Sequence, residues 1–130
     1  MMSNVKNATE NAEELNPKGN EQMESLIESK DLEGVVEVLK EEPRRIKDLI
    51  EKINTDKGIG KFFLEISIRL LSEREPSLAY PYFNEIDQFI QSPNNFIKWG
   101  AIITLSNLIA VDEENRFEPL FDEYFSPPKL

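Results

Sequence analysis

A fifteen-residue run, Phe96 to Ala110 (FIKWGAIITLSNLIA), carries one charge, Lys98, in a chain of which 31% is charged. Ser92-Pro93-Asn94-Asn95 precede it and Asp112-Glu113-Glu114-Asn115 follow. Its apolar residues leave no side of a helix suited to water, so the pattern predicts one helix, Asn95–Ala110, buried on most of its circumference. The run is shorter than the roughly 20 residues a bilayer span needs. Neighbours on several sides must cover it, and the rest of the chain has to supply them.

The other segments supply them as helices, with no convincing strand alternation. Met23, Leu26 and Ile27 make a short stripe over Glu21–Ser29, and Asp31 is placed to cap Leu32–Lys40, where Leu32, Val35, Val36 and Leu39 recur at helical spacing. Pro43 suits a first helical turn, and Ile46, Leu49, Ile50 and Ile53 form the stripe behind it. Lys61–Arg74 is apolar over most of its girth. Pro76 opens a further helix that Pro81 should bend or split. Asp112 is expected to cap a last helix over Glu113–Phe125, closed by Pro127-Pro128. One-sided helices (43–53, 77–91, 116–125) thus alternate with all-round apolar ones (61–74, 95–110). Stacked hairpins produce that division, with half-wet outer helices and sandwiched inner ones.

At 130 residues the chain suits one domain with its own core. Residues 1–20, rich in Asn and Glu, bring little apolar area to offset the entropy of ordering them, and are expected to be a disordered tail before a domain over 21–130. The chain has no cysteine and no histidine, so thiolate chemistry, disulfides and the commonest general base and metal ligand are absent. No cofactor, metal site or catalytic constellation is indicated, and the expectation is a non-enzyme. No secretory signal stands at the N-terminus, and a cytoplasmic setting with no membrane role is the default. The formal net charge of −10 opposes nucleic acid. Residues 40–61 run against that average, with seven basic side chains (Lys40, Arg44, Arg45, Lys47, Lys52, Lys57, Lys61) and five acidic. They read as a solvated mixed-charge face, or else as a phosphate-contacting strip. The acids Asp112-Glu113-Glu114 lack calcium-loop spacing.

Internal similarity supports stacking. Ile46, Leu49 and Ile50 correspond to Ile86, Phe89 and Ile90 at an offset of 40; Phe63-Leu64 and Leu70-Leu71 correspond to Ala101-Ile102 and Leu108-Ile109 at 38; Phe89-Ile90 corresponds to Tyr124-Phe125 at 35. Such periods suit two-helix repeats. Ile97, Lys98, Ala101, Leu105 and Leu108 resemble, position by position, the second-helix signature of HEAT repeats, and Leu105 to Ala110 is similar to the end of an armadillo inner helix. Two departures stand out: Ser92 occupies the place of the HEAT aspartate, and Ile103 that of the armadillo tryptophan. The repeat over 43–74 is degenerate, with Gly60 at the basic position. The resemblance implies an all-α fold, an α-α superhelix of about three stacked helical hairpins, possessing a concave face that binds protein. It further implies that Asn107 lines that groove and bonds to an extended peptide.

Trp99, Ile103 and Asn107 fall at i, i+4 and i+8, one stripe of the long helix. They form either a tryptophan-anchored groove with an asparagine donor, or a core tryptophan with Asn107 bonded to a neighbouring loop. The third repeat has an outer helix and no inner one before Leu130, so the chain is expected to be the N-terminal part of a longer solenoid, or to self-associate through Phe117, Phe121 and Phe125. The function expected is a protein-binding scaffold or adaptor. The alternatives are a helical-repeat nucleic-acid binder of the DNA-glycosylase-like type and an accessory domain of an enzyme or signalling complex.

Overall fold

The computed structural model describes residues 17–120, and among these there are helices and no strand. In chain order they are α1 (Pro17–Glu28), α2 (Leu32–Glu41), α3 (Arg45–Thr55), α4 (Gly60–Arg74), α5 (Pro76–Ala79), α6 (Phe83–Gln88) and α7 (Asn95–Asn107), with 3-10 turns at Tyr80–Tyr82, Phe89–Gln91 and Ile109–Val111. Helix α1 starts at Pro17, so residues 17–20 belong to it and not to the tail expected there; residues 1–16 lie outside the described residues.

Local chemistry explains most boundaries. Lys30 takes a left-handed conformation (φ 59°) and the Asp31 amide donates to Leu26 O at 2.9 Å, which closes α1 and turns the chain into α2. The Asp31 carboxylate then accepts from Gly34 N at 2.9 Å as the expected N-cap. Pro43 sits ahead of α3 and not inside its first turn: Pro43 and Arg44 form a turn, with Ile46 N donating to Pro43 O at 3.0 Å. Pro76 occupies the first turn of α5, and Pro81, which lacks an N–H, falls in the 3-10 turn that separates α5 from α6. Asn94 caps α7 by accepting from Ile97 N at 3.1 Å, while the Asn94 amide donates to Ser92 Oγ at 3.1 Å. The side chain standing at the HEAT aspartate position therefore serves its own turn. α7 ends at Asn107, three residues before the predicted end, and the chain tightens into the 3-10 turn at Ile109–Val111.

The packing order accounts for the contrast between one-sided and all-round apolar helices. α4 touches α2, α3, α5 and α7, and its contact with α7 is the most extensive between any two described helices. Leu64, Ile68 and Leu71 of α4 meet a core built from Val35, Val36 and Leu39 (α2), Ile46, Leu49 and Ile50 (α3), Phe83 and Ile86 (α6), and Ile97, Ala101, Leu105 and Leu108 (α7). A helix with four neighbours has little surface left for water, which is why apolar residues spread over most of its girth.

The C-terminal end differs from expectation. Asp112 does cap a turn, accepting from Arg116 N (2.8 Å) and Phe117 N (3.1 Å), and it also takes the Tyr80 hydroxyl proton in a hydrogen bond. Residues 113–116 are not helical, and helix resumes only at Phe117. Glu114 N donates to the Tyr80 oxygen at 3.1 Å, and the Arg116 guanidinium lies over the Tyr80 ring at 4.9 Å. Phe117 packs edge-on against Phe83 with centroids 4.8 Å apart, so it belongs in part to this chain's own core and not to an open face. Phe121 and Phe125 lie outside the described residues.

Leu71 has no exposed surface, whereas Leu70 beside it is half-buried on another side of α4. Leu71→Ala should lower the unfolding free energy by about 2–5 kcal/mol in urea titrations, and Leu70→Ala by clearly less. The reverse order would mean that α4 presents a different face to the core.

Candidate binding face

On α7, Ile97, Gly100, Ala101, Thr104 and Leu105 point inward and are buried. Phe96 (43% exposed), Trp99 (59%) and Ile103 (43%) occupy the opposite side at i, i+3 and i+7. Trp99 is therefore a surface residue and not a core one, and Ile103 lies beside it on the surface. Asn107, half-buried, donates from Nδ2 to Ser72 Oγ of α4 at 3.0 Å. Its bond goes to the neighbouring helix and neither to a loop nor to open solvent. The predicted stripe thus splits: Trp99 and Ile103 face water, and Asn107 ties α7 to α4.

The strip extends onto α4 through Phe62, whose ring meets Phe96 edge-on at 5.0 Å and 60°. Cations flank these rings. Lys61 Nζ lies 5.7 Å from the Phe62 centroid, and the Arg69 guanidinium carbon 5.7 Å from that of Phe96. Arg69 is held from below, where its Nε and Nη2 donate to Glu65 Oε1 (3.0 Å) and Oε2 (2.7 Å), a two-point pair one helical turn apart.

Glu65 is the residue that the sequence did not reveal. It is 4% exposed and sits beneath Gly100. A β-carbon at position 100 would lie 1.7 Å from Glu65 Oε1 and 2.1 Å from its Cδ, so glycine is what lets α7 close over the carboxylate. Nothing in the sequence of a helix that also carries Lys61, Arg69, Glu73 and Arg74 sets Glu65 apart from the charges at its surface. Only the absent side chain at 100 hinted at a close approach. Burial pushes the Glu65 carboxyl above its ordinary value, against the opposing pull of Arg69.

One cation of the mildly basic 40–61 segment is withdrawn from the surface, while Lys40, Lys47, Lys52 and Lys57 stay exposed. Arg45 is 2% exposed, with Nη1 donating to Asn20 Oδ1 at 2.5 Å and Nε paired to Glu42 at 3.2 Å. A groove of about 400 Å³ beside it, between α1 and α3, has Glu24, Asp48, Glu51 and Lys52 on its walls. Among the described residues no group of three or more acidic side chains converges on a point where a metal ion would sit. No described helix is long and apolar enough to cross a membrane.

No family model, curated protein or solved structure matches the chain. The face must therefore be read from its own chemistry: an apolar, aromatic strip with cations at its edge, on the two helices that pack most extensively.

Two measurements check this geometry. Gly→Ala inside a helix ordinarily stabilises by about 0.5–1 kcal/mol. Here Gly100→Ala should destabilise by about 1–3 kcal/mol through overpacking, and in a Glu65→Ala background the same change should become neutral or favourable. Equal effects in both backgrounds would place the two residues apart. Because its folded-state value is raised, Glu65 holds its proton to higher pH in the folded chain than in the unfolded one. It lowers stability as pH rises out of the carboxylate range, most fully above the folded value and not at all below the unfolded one. Glu65→Gln should therefore gain melting temperature relative to the wild type between acidic and neutral pH. A relative loss would mean that pairing with Arg69 outweighs burial.

Proposed function

We propose that this chain is a non-enzymatic protein-binding module, a scaffold or adaptor, which receives its partner on the strip formed by Phe96, Trp99 and Ile103. In this reading α1, α3 and α5–α6 are the outer helices and α2, α4 and α7 the inner helices of about three hairpins stacked in the manner of HEAT or armadillo repeats. The contacts of α4 with both α2 and α7 support that arrangement. So does the pairing of α3 with α4 and of α6 with α7.

The observation that carries the proposal is the exposure of three large apolar side chains at i, i+3 and i+7 on a helix whose single charge is Lys98. An isolated exposed leucine or isoleucine needs no explanation, but a contiguous patch that includes tryptophan does. Tryptophan is enriched among the residues that dominate binding energy at protein interfaces. The patch also rests on a rigid base, since α7 is fixed to α4 by Gly100 over Glu65 and by Asn107 on Ser72.

Trp99→Ala/Ile103→Ala truncates two side chains that are each about half exposed, so each substitution should cost clearly less than Leu71→Ala and leave the chain folded. Pull-down followed by mass spectrometry should then lose the proteins retained by the wild type. Retention of the same proteins by the double variant would move the interface elsewhere.

A further inference from the structure

The charges around the strip do not follow the charge of the chain. The whole carries a formal −10, yet the strip is edged on α4 by two cations, Lys61 beside the Phe62 ring and Arg69 beside that of Phe96, and α7 carries no acid. Of the acids on α4, Glu65 lies beneath the surface and is paired with Arg69, and Glu73 stands one turn beyond Arg69 toward the far end of the helix. An acidic protein repels acidic molecules at long range, and a cation-edged aromatic strip offers them a local contact of the opposite sign.

Arg69 gives the edge direction as well as sign. Its bonds to Glu65 use Nε and Nη2, which leaves Nη1 outside the pair. The buried carboxylate and the ring of Phe96 together hold the guanidinium in one orientation. A planar cation fixed in this way loses little conformational entropy when it accepts a second carboxylate, whereas a free lysine must be ordered first. Glu65 is therefore a positioning residue for Arg69.

We propose that the segment recognised by this face is an apolar stretch interleaved with carboxylates, its apolar side chains covering Phe96, Trp99 and Ile103 and its acids meeting Arg69 and Lys61. The inference rests on the strip being the binding face, and adds to it the chemistry of the partner. The apolar part would supply affinity, and the acids the registration along the strip and discrimination against basic segments.

A random peptide library selected on the full chain tests it, because Trp99 is the single tryptophan and reports directly on its own burial. The expected pool is richer in Asp and Glu than in Lys and Arg, and carries large apolar residues. Its members should shift Trp99 emission to the blue and bind more weakly as salt is raised. Lys61→Glu, at a partly exposed position, should lower their affinity by about two- to fivefold, and Arg69→Gln should do the same if its melting transition shows that it still folds. A basic or uncharged pool that still shifts Trp99 emission would overturn the acidic partner and leave the face standing. Self-association that buries Trp99 in preference to any peptide would overturn it as well. Peptides that bind without moving Trp99 emission, or no enrichment at all, would overturn both the partner and the face.

Discussion

A carboxylate between two packed helices needs a cation and needs room, and Glu65 has both. Arg69, one turn along the same helix, supplies two hydrogen bonds, and Gly100 on the facing helix supplies the space. Arg69 is partly exposed and Glu65 is not, so removal of the arginine would strand the buried carboxylate, whereas removal of the carboxylate leaves a cation that water can reach. The contact therefore fixes how α7 lies on α4 more sharply than aliphatic packing does, since leucine and isoleucine stripes tolerate small slides along the axis. With α7 fixed, Phe96 meets Phe62, and Trp99 and Ile103 remain outside.

Polar contacts of this kind recur at the joints of the molecule. Arg45 ties the start of α3 to Asn20 of α1 and passes close to Gly19, where a β-carbon would lie 2.2 Å from Arg45 Nη2. Glu33 of α2 accepts from both terminal nitrogens of Arg74 at the end of α4, at 2.6 and 2.8 Å. Tyr80 and Asp112 join the broken helix after Pro76 to the last described turn. The apolar core supplies most of the driving force for folding, and these pairs select one register among several that the core alone would tolerate.

The helices were legible because hydrophobic period and punctuation agree. α4 and the start of α7 fall within a residue of where the apolar runs place them, and Pro81 breaks its helix because it has no amide proton to give. The outward side of Trp99 was not legible. In an apolar run every residue looks buried, and only the position of α4 decides which side is free. Glu65 and Arg45 were hidden for the complementary reason: charged residues at helical spacing read as surface, and the glycines that lie against them, at 100 and 19, are far away in sequence. Asp112 was read as a cap with its helix placed too early, because the pull of Tyr80 on that carboxylate comes from thirty-two residues away.

α7 lies on α4 with its tryptophan turned outward. Quenching of Trp99 fluorescence by acrylamide in dilute solution tests it most directly, since no other indole contributes. The geometry predicts a Stern–Volmer slope in the folded chain that is a large fraction of the slope in urea and well above that of a buried indole. A folded chain whose tryptophan is shielded from acrylamide and becomes accessible only on unfolding would contradict the packing of α7 and, with it, the binding face.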